Sequence, residues 1–167
     1  FEDDRHVNTK NINDILTYSA GILIRNKPYT NTVINNTRYE IDTLSTNNIK
    51  IHGNIIENFG YGIVSIGMGM INKQDQNKVV PMYNYENEFT NNYIKNVAKS
   101  GIFLGFEEGA LVKSNRIDSV GIGKSGEEIF GIQLGGSYRY DNNFGYHNIG
   151  TIVEGNEISN IMSDLFS

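Results

Sequence analysis

The stretch Ile51-His52-Gly53-Asn54-Ile55-Ile56-Glu57-Asn58 decides the fold, because its pattern returns three more times along the chain. Each copy reads apolar residue, two spacers, Asn, any residue, Ile, any residue, and then Asn or Ser. The other copies are FTNNYIKN at 89–96, VKSNRIDS at 112–119 and VEGNEISN at 153–160. An imperfect fifth copy surrounds Asn13, with Lys10 at the apolar position. A phrase that recurs at intervals of tens of residues is typical of stacked repeats.

The residue before each aligned asparagine predicts a tight bend. It is Gly53, Asn91, Ser114 or Gly155, and Gly and Asn tolerate the left-handed backbone region that such a bend requires. Side-chain alternation after the bend then places Asn54, Ile56 and Asn58 on one inward face. Isolated buried amides would be costly, but stacked copies can hydrogen-bond one another. The phrase therefore predicts strands joined by bends, with a ladder of asparagines inside.

A second phrase, Gly-Ile-any-apolar, begins at Gly21, Gly101 and Gly131, and a looser copy begins at Gly62, where Ser65 departs from the pattern. It predicts another short strand in each repeat. The aligned asparagines Asn92 and Asn115 are 23 residues apart, whereas 38 residues separate Asn54 from Asn92. Either a bare coil of about 23 residues accepts insertions of variable length, or the longer spacings hide an extra coil, for example around 32–36.

Bulk composition limits the function classes. The chain has 167 residues, which suits one domain, and its 14 basic and 19 acidic residues argue against a nucleic-acid partner. It has no cysteine, which excludes a disulfide framework and a thiolate metal site. No apolar run reaches the length of a membrane helix. Because the chain opens on Phe1 without a visible signal peptide, we expect a trimmed piece of a longer protein.

Together, the Asn-any-Ile and Gly-Ile phrases resemble the right-handed parallel β-helix repeat, the fold of the pectate-lyase-like superfamily and of many phage tailspikes. The resemblance implies an all-β fold, with residues 1–167 forming a single right-handed parallel β-helix (solenoid) with long loops on one side. It implies a domain that binds or cleaves an acidic or cell-surface polysaccharide by lyase or glycoside hydrolase chemistry, located extracellularly, at a cell surface or on a virion. The same fold also forms non-catalytic structural or adhesion segments, whose partners are neighbouring β-helix coils or the other subunits of a homotrimer.

Three long insertions follow Gly-Ile strands, at about 25–48, 67–88 and 135–150. Loops that leave the same corner of a stacked repeat emerge on one side, so these should build a rim. The short connection at 105–108 would leave a notch for an elongated ligand. Alternatively, the loops fold back over the outward-facing Leu23, Val64 and Phe103, because exposed apolar stripes are usually covered.

The acids at the notch are the first candidates for catalysis. Glu107 and Glu108, with Asp141 across the groove, could form the carboxylate pair of a glycosidase or hold a calcium ion. Lys113 in Val-Lys-Ser resembles the basic lysine of the alginate and chondroitin lyase branch of this fold. That branch expects a nearby arginine, but Gln133 stands at that place. An acidic turn and a surface lysine are the alternatives.

The third insertion is the richest in residues that bind sugars. Tyr138 and Tyr140 could stack on sugar rings, and Arg139 could bind a sugar carboxylate with its planar fork. His147 closes the same segment. An ordinary surface loop is the alternative. Two outward sets, Glu57 with Lys95 and Asp118, and Arg116 with Glu157, are expected to be solvated charge ladders.

Overall fold

The structure is a computed structural model that describes residues 19–25, 45–71, 79–121, 128–135 and 147–162, without the side chains of 68–71 and 79–82. Within these ranges the chain is all-β and has no helix. The strands are β1 (Ala20–Arg25), β2 (Lys50–His52), β3 (Ile55–Glu57), β4 (Tyr61–Ile66), β5 (Met68–Ile71), β6 (Val79–Met82), β7 (Asn84–Tyr85), β8 (Glu88–Thr90), β9 (Tyr93–Val97), β10 (Ser100–Gly105), β11 (Glu107–Glu108), β12 (Leu111–Lys113), β13 (Arg116–Val120), β14 (Phe130–Leu134), β15 (Ile152–Glu154) and β16 (Glu157–Ile161).

Three parallel four-stranded sheets organise these strands. Sheet A has the order β1-β4-β10-β14, sheet B the order β2-β8-β12-β15, and sheet C the order β3-β9-β13-β16. The chain visits sheets B, C and A in turn, and we call each such pass a coil: β2–β4 form coil 1, β8–β10 coil 2, β12–β14 coil 3, and β15–β16 the start of coil 4. This arrangement is compatible with the expected parallel β-helix.

Residues at equivalent places in successive coils form columns. Ile56, Ile94, Ile117 and Ile158 share one column of sheet C. The bend that the sequence predicts before each aligned asparagine is present, since Gly53, Asn91, Ser114 and Gly155 all have φ between 55° and 69°. A second bend column, which precedes sheet B, has φ from 54° to 68° at Asn48, Glu86, Gly109 and Gly150.

The predicted asparagine ladder is confirmed over four coils. Asn92 Oδ1 accepts hydrogen bonds from the backbone N–H and the side-chain amide of Asn54, each at 3.0 Å. Asn115 Oδ1 accepts the same pair from Asn92, at 3.0 and 2.9 Å, and Asn156 Oδ1 accepts it from Asn115. Each side-chain oxygen therefore accepts a hydrogen bond from the backbone N–H that follows the bend of the preceding coil. The fifth copy, around Asn13, lies outside the described residues.

Hydrogen bonds between ladder asparagines show whether the longer spacings of 38 and 41 residues hide an extra coil. Asn54 bonds to Asn92 across 38 residues, and Asn115 bonds to Asn156 across 41. No coil intervenes, so the longer spacings contain insertions. Strands β1, β4 and β14 end at the same edge of sheet A, as their registers with β4 and β10 require. The second insertion begins with the antiparallel pair β5–β6.

The main core lies between the three sheets. It includes Ile63 and Ile102 from sheet A, Phe89 from sheet B, and Ile94 and Ile117 from sheet C, all fully buried. Full burial of such side chains contributes on the order of 2 kcal/mol each. Stacking three short strands per coil is therefore enough to build a continuous core.

The second core cluster covers the outer side of sheet A. Val64 and Phe103, expected to point outward, pack there with Tyr61 and Phe106 and are 0% and 3% exposed. Leu23, in the same column, stays 46% exposed. The covered-stripe alternative therefore holds at Val64 and Phe103, and those two side chains cannot form the floor of an open groove.

The Gly-Ile phrase has a steric reason. A Cβ on Gly101 would lie 2.6 Å from the backbone oxygen of Gly131 and 2.6 Å from Cγ2 of Ile117. Gly131 has the same relation to Ile158, again at 2.6 Å. The glycine thus allows sheet A to approach the isoleucine column of sheet C in the following coil.

One expectation about the inward face was wrong. Asn58, Asn96 and Asn160 do not share the interior with the isoleucines, because each has a positive φ, from 53° to 65°, and turns the chain toward sheet A. Asn58 and Asn160 are exposed and Asn96 is half-buried. The last asparagine of the phrase is a corner residue, not a second ladder position.

Candidate functional site

Glu107 is a buried carboxylate inside the stack of coils. Its side chain is 0% exposed and accepts three hydrogen bonds. Ser65 Oγ and Asn84 Nδ2 donate to Oε1, and Asn87 Nδ2 donates to Oε2 at 3.0 Å. An ionised carboxylate only accepts hydrogen bonds, and three donors satisfy it. The groups that influence the pKa of Glu107 include no basic residue.

Burial raises the pKa of Glu107 above its ordinary value, and the hydrogen bonds from Ser65, Asn84 and Asn87 lower it by less. Desolvation disfavours the charged form, whereas the donors favour it. The net direction is upward. A raised pKa is common at catalytic acids, but a polymer cannot reach a side chain with no solvent exposure in this conformation.

The position of Glu107 follows from a further polar column, which neither of the two sequence phrases includes. Thr46, Asn84, Glu107 and Asn148 each stand eight residues before a ladder asparagine. In the structure, Asn84 Oδ1 accepts from Thr46 N at 3.0 Å, and Asn148 Oδ1 accepts from Glu107 N at 2.9 Å. The same eight-residue offset, applied backward from the ladder, would have placed Glu107 inside.

Glu108 faces the other way from Glu107. It is half-buried, pairs in register with Tyr85 and bridges to Ile149. Burial raises the pKa of the Tyr83 hydroxyl, and the nearby charge of Glu108 raises it further. Glu108 is therefore the expected acid that keeps access to solvent. Its proposed partner Asp141 lies outside the described residues, as do Tyr138, Arg139 and Tyr140; His147 is exposed.

Lys113 lies on the outer face of sheet B. Its Nζ is 2.7 Å from Glu154 Oε1, and both side chains are about half exposed. Glu107 is interior, so these two candidates do not share one accessible site. Gln133 is half-buried in β14.

The expected charge columns on the outer faces have the predicted registers. Glu57, Lys95 and Asp118 align in successive coils. Arg116 Nε lies 3.7 Å from Glu157 Oε1, and the Arg116 guanidinium also stacks 5.3 Å from the centre of the Tyr93 ring. Exposed pairs of this kind contribute little to stability.

A polar row, missed by the sequence analysis, follows the corner after sheet C. This corner row consists of Asn58, Asn96, Ser119 and Asn160, one residue per coil and all at positive φ. Asn96 Nδ2 donates to Asn58 Oδ1 at 3.3 Å. The fixed final Asn or Ser of the phrase is the sequence signal for this row, although strand alternation predicts that this residue points inward.

Asp118 anchors the later part of the corner row. Asn160 Nδ2 donates to Asp118 Oδ1 at 2.6 Å, and the hydroxyls of Ser119 and Ser159 donate to the same oxygen at 3.2 Å. The hydrogen bond from Asn160, followed by those from the two serines and the charge of Arg116, holds the pKa of Asp118 below its usual value. Asp118 is thus an ionised, fixed acceptor on the surface.

At the early end of the corner row is an open pocket of about 380 Å³. Asn58, Phe59, Asn96 and Ala98 line it. Phe59 is half-buried and packs against the main core, so its ring is held in place. An anchored aromatic ring between two amides combines an apolar surface with hydrogen-bonding groups, as small-ligand sites do.

The described part of the chain has neither a metal-binding cluster nor a membrane-spanning helix. It contains no group of three or more His, Cys, Asp or Glu side chains that could hold a metal ion. None of its segments forms a helix long and apolar enough to cross a membrane. Calcium binding by the acids of 107–108 and Asp141 stays a prediction.

No protein-family model, curated protein or solved structure matches this chain.

Proposed function

We propose that this chain is a segment of a right-handed parallel β-helix that binds a polysaccharide along its corner row. The pocket at Asn58, Phe59, Asn96 and Ala98 is the observation that carries the proposal. A sugar ring offers apolar C–H faces and hydroxyl groups. The Phe59 ring can contact the faces, while the two amides donate to and accept from the hydroxyls.

The repetition of the row supports an elongated ligand. One polar side chain recurs per coil, at Asn58, Asn96, Ser119 and Asn160, and neighbouring strands are about 4.8 Å apart. A row with that repeat runs in the stacking direction of the coils. Successive units of a polymer could therefore meet equivalent groups, whereas a small metabolite would use only the pocket.

Binding has more support than cleavage. Glu107 is fully buried and Lys113 is paired with Glu154, so these two expected catalytic groups have structural partners. Glu108 keeps access to solvent, and cleavage with Asp141 stays a separate prediction. It is tested by the absorbance of unsaturated uronates, and by reducing-end release, from a panel of acidic polysaccharides with the wild type and with Glu108→Gln. Product that Glu108→Gln abolishes would add catalysis to the proposed binding.

The binding test uses glycine substitutions in the corner row. Glycine retains the positive φ of Asn58 and Asn96 but removes the amide, so Asn58→Gly/Asn96→Gly should stay folded. Asn91→Gly is the matched control, because Asn91 is exposed and has φ 55° at the other bend. Affinity electrophoresis and calorimetry against neutral and acidic polysaccharides give the readout.

We expect a polysaccharide in the panel to bind the wild type and the Asn91→Gly control equally, within about twofold. The double variant should bind about thirtyfold more weakly, since two lost hydrogen bonds of about 1 kcal/mol each correspond to that factor. Equal binding by the double variant, or no binding by the wild type, would overturn the proposal. Recognition of a surface polysaccharide implies an extracellular, cell-surface or virion location.

A non-catalytic structural segment is the second candidate. It is favoured by the uncovered coil 4, where Val153 and Ile158 lie in core columns yet are each 44% exposed. An exposed core column suits a protein that stacks on neighbours. A homotrimer is the other assembly expected of such a segment, and light scattering on the purified chain tests it.

A further inference from the structure

At the end of the stack formed by β14, β15 and β16, the core columns end in exposed apolar side chains. In the column of Phe89, Val112 and Val153, the first two side chains are 0% exposed and Val153 is 44% exposed. In the column of Ile94, Ile117 and Ile158 the same step is from 0% to 44%. Leu104 and Leu134 in sheet A differ in the same way, at 0% and 45%.

The opposite end of the stack differs. Ile56, in the first strand of the sheet C column, is only 5% exposed. At that end the isoleucine column of sheet C is therefore covered, whereas at Ile158 it is not. We call the exposed apolar surface at the end formed by β14, β15 and β16 the terminal face and define it by Leu134, Val153, Ile158 and Ile161.

The terminal face also has a backbone N–H group, that of Asn156, to which a further coil could supply an acceptor. The backbone N–H groups of Asn54, Asn92 and Asn115 each donate to the side-chain oxygen of the next ladder asparagine. Among the described residues, no acceptor meets the backbone N–H of Asn156. The ladder therefore ends with one donor open, at the place where a fifth asparagine would put its Oδ1.

Two carboxylates beside the terminal face, Glu154 and Glu157, favour a partner that carries basic residues. Lys113 and Arg116 of coil 3 pair with Glu154 and Glu157 of coil 4. The same two carboxylates border the terminal face from the outer side of β15 and β16. A segment that carries Lys and Arg at the corresponding positions would meet them from the open side.

We infer that the terminal face docks a further parallel coil, supplied by a polypeptide segment that carries the same phrase. The incoming segment places an asparagine over Asn156 and apolar side chains over Val153, Ile158 and Ile161. It places a residue that tolerates positive φ over Gly155. Recognition is specific, because a segment shifted by one residue would turn its apolar side chains outward and leave the Asn156 N–H unpaired.

The test tethers a phrase to the complete chain. A flexible linker of about twelve residues, which spans roughly 20 Å on average, joins Ser167 to a second copy of the sequence of residues 111–120, LVKSNRIDSV. In a matched control phrase, serine replaces the copy of Asn115 and aspartate replaces the copy of Ile117. Hydrogen exchange of the Asn156 amide is measured in both fusions.

We expect exchange of the Asn156 amide to be at least about tenfold slower with the native phrase than with the control phrase. Equal exchange in the two fusions would overturn the inference. It would also be overturned if the unextended chain is a closed dimer that Ile158→Glu makes monomeric, since the two terminal faces then cover each other and no further parallel coil docks on either. Ile158 is half exposed, so this variant should fold. Neither outcome depends on polysaccharide binding.

Discussion

The strongest prediction concerns Asn115, at the middle of the asparagine ladder. Its side chain is 1% exposed and takes part in four hydrogen bonds. Its Oδ1 accepts from the backbone N–H and the amide of Asn92, and its Nδ2 donates to Phe89 O at 2.8 Å and to Asn156 Oδ1 at 2.9 Å. Asn115→Ala removes all four bonds and deprives a buried backbone N–H of its acceptor.

The magnitude follows from those contacts. A buried donor without an acceptor costs about 1–3 kcal/mol, and each of the other three bonds contributes about 0.5–1.5 kcal/mol. We expect Asn115→Ala to lower the free energy of unfolding by about 4 kcal/mol, a large part of the 5–15 kcal/mol typical of a domain. Urea denaturation followed by circular dichroism measures this loss.

Asn54 supplies the matched control because it holds the same place in the phrase at the beginning of the described ladder. Its amide donates to Asn92 Oδ1 and to His52 O, but no donor among the described residues depends on its oxygen. Asn54→Ala should therefore cost only about 1–2 kcal/mol, because one of its two bonds is exposed. Equal losses for the two variants, or a loss below about 1.5 kcal/mol for Asn115→Ala, would refute the reasoning.

Three further predictions concern the interior and the outer face. Because the pKa of Glu107 is raised in the folded state, the protonated carboxyl stabilises the fold. The stability of the wild type relative to Glu107→Gln should therefore fall as the pH rises from the ordinary value of 4.5 through the raised pKa, and urea denaturation at several pH values measures this. A stability difference that does not change with pH would contradict this. Gly101→Ala should lower the thermal midpoint through an overlap costing about 2–3 kcal/mol, whereas Gly53→Asn, where φ is +69° and the space is open, should leave it nearly unchanged; similar midpoints for both would be contrary evidence. Lys113→Ala should cost at most about 0.5 kcal/mol in denaturation at low salt, because its pairing with Glu154 is solvent-exposed, and a larger loss would indicate that Lys113 has another structural role.

Much of the architecture was predictable from the chain because the repeat imposes the same local requirement in each coil. A left-handed bend demands Gly, Asn or a small polar residue, and Gly53, Asn91 and Gly155 meet that demand in the sequence itself. The buried amide after the bend finds a hydrogen-bond partner in its equivalent in the next coil. The ladder was therefore readable without coordinates.

The candidate site was harder to predict because inward and outward orientations change at each bend. The last Asn of the phrase looked inward by strand alternation, but the positive φ at Asn58 interrupts that alternation. Ser65 looked like a departure from the Gly-Ile pattern, yet it donates to Glu107. These two polar residues are in different coils and 42 positions apart, so local patterns could not pair them.

The most direct test of the parallel stack is a scalar coupling measured by NMR through the hydrogen bond between Asn92 and Asn115. With uniformly labelled protein, the backbone nitrogen of Asn92 should couple to the side-chain carbonyl carbon of Asn115, whose oxygen is 3.0 Å away. Equivalent couplings should join Asn54 to Asn92 and Asn115 to Asn156. Absence of these three couplings, while couplings across ordinary strand pairs are detected in the same sample, would contradict the stack of coils.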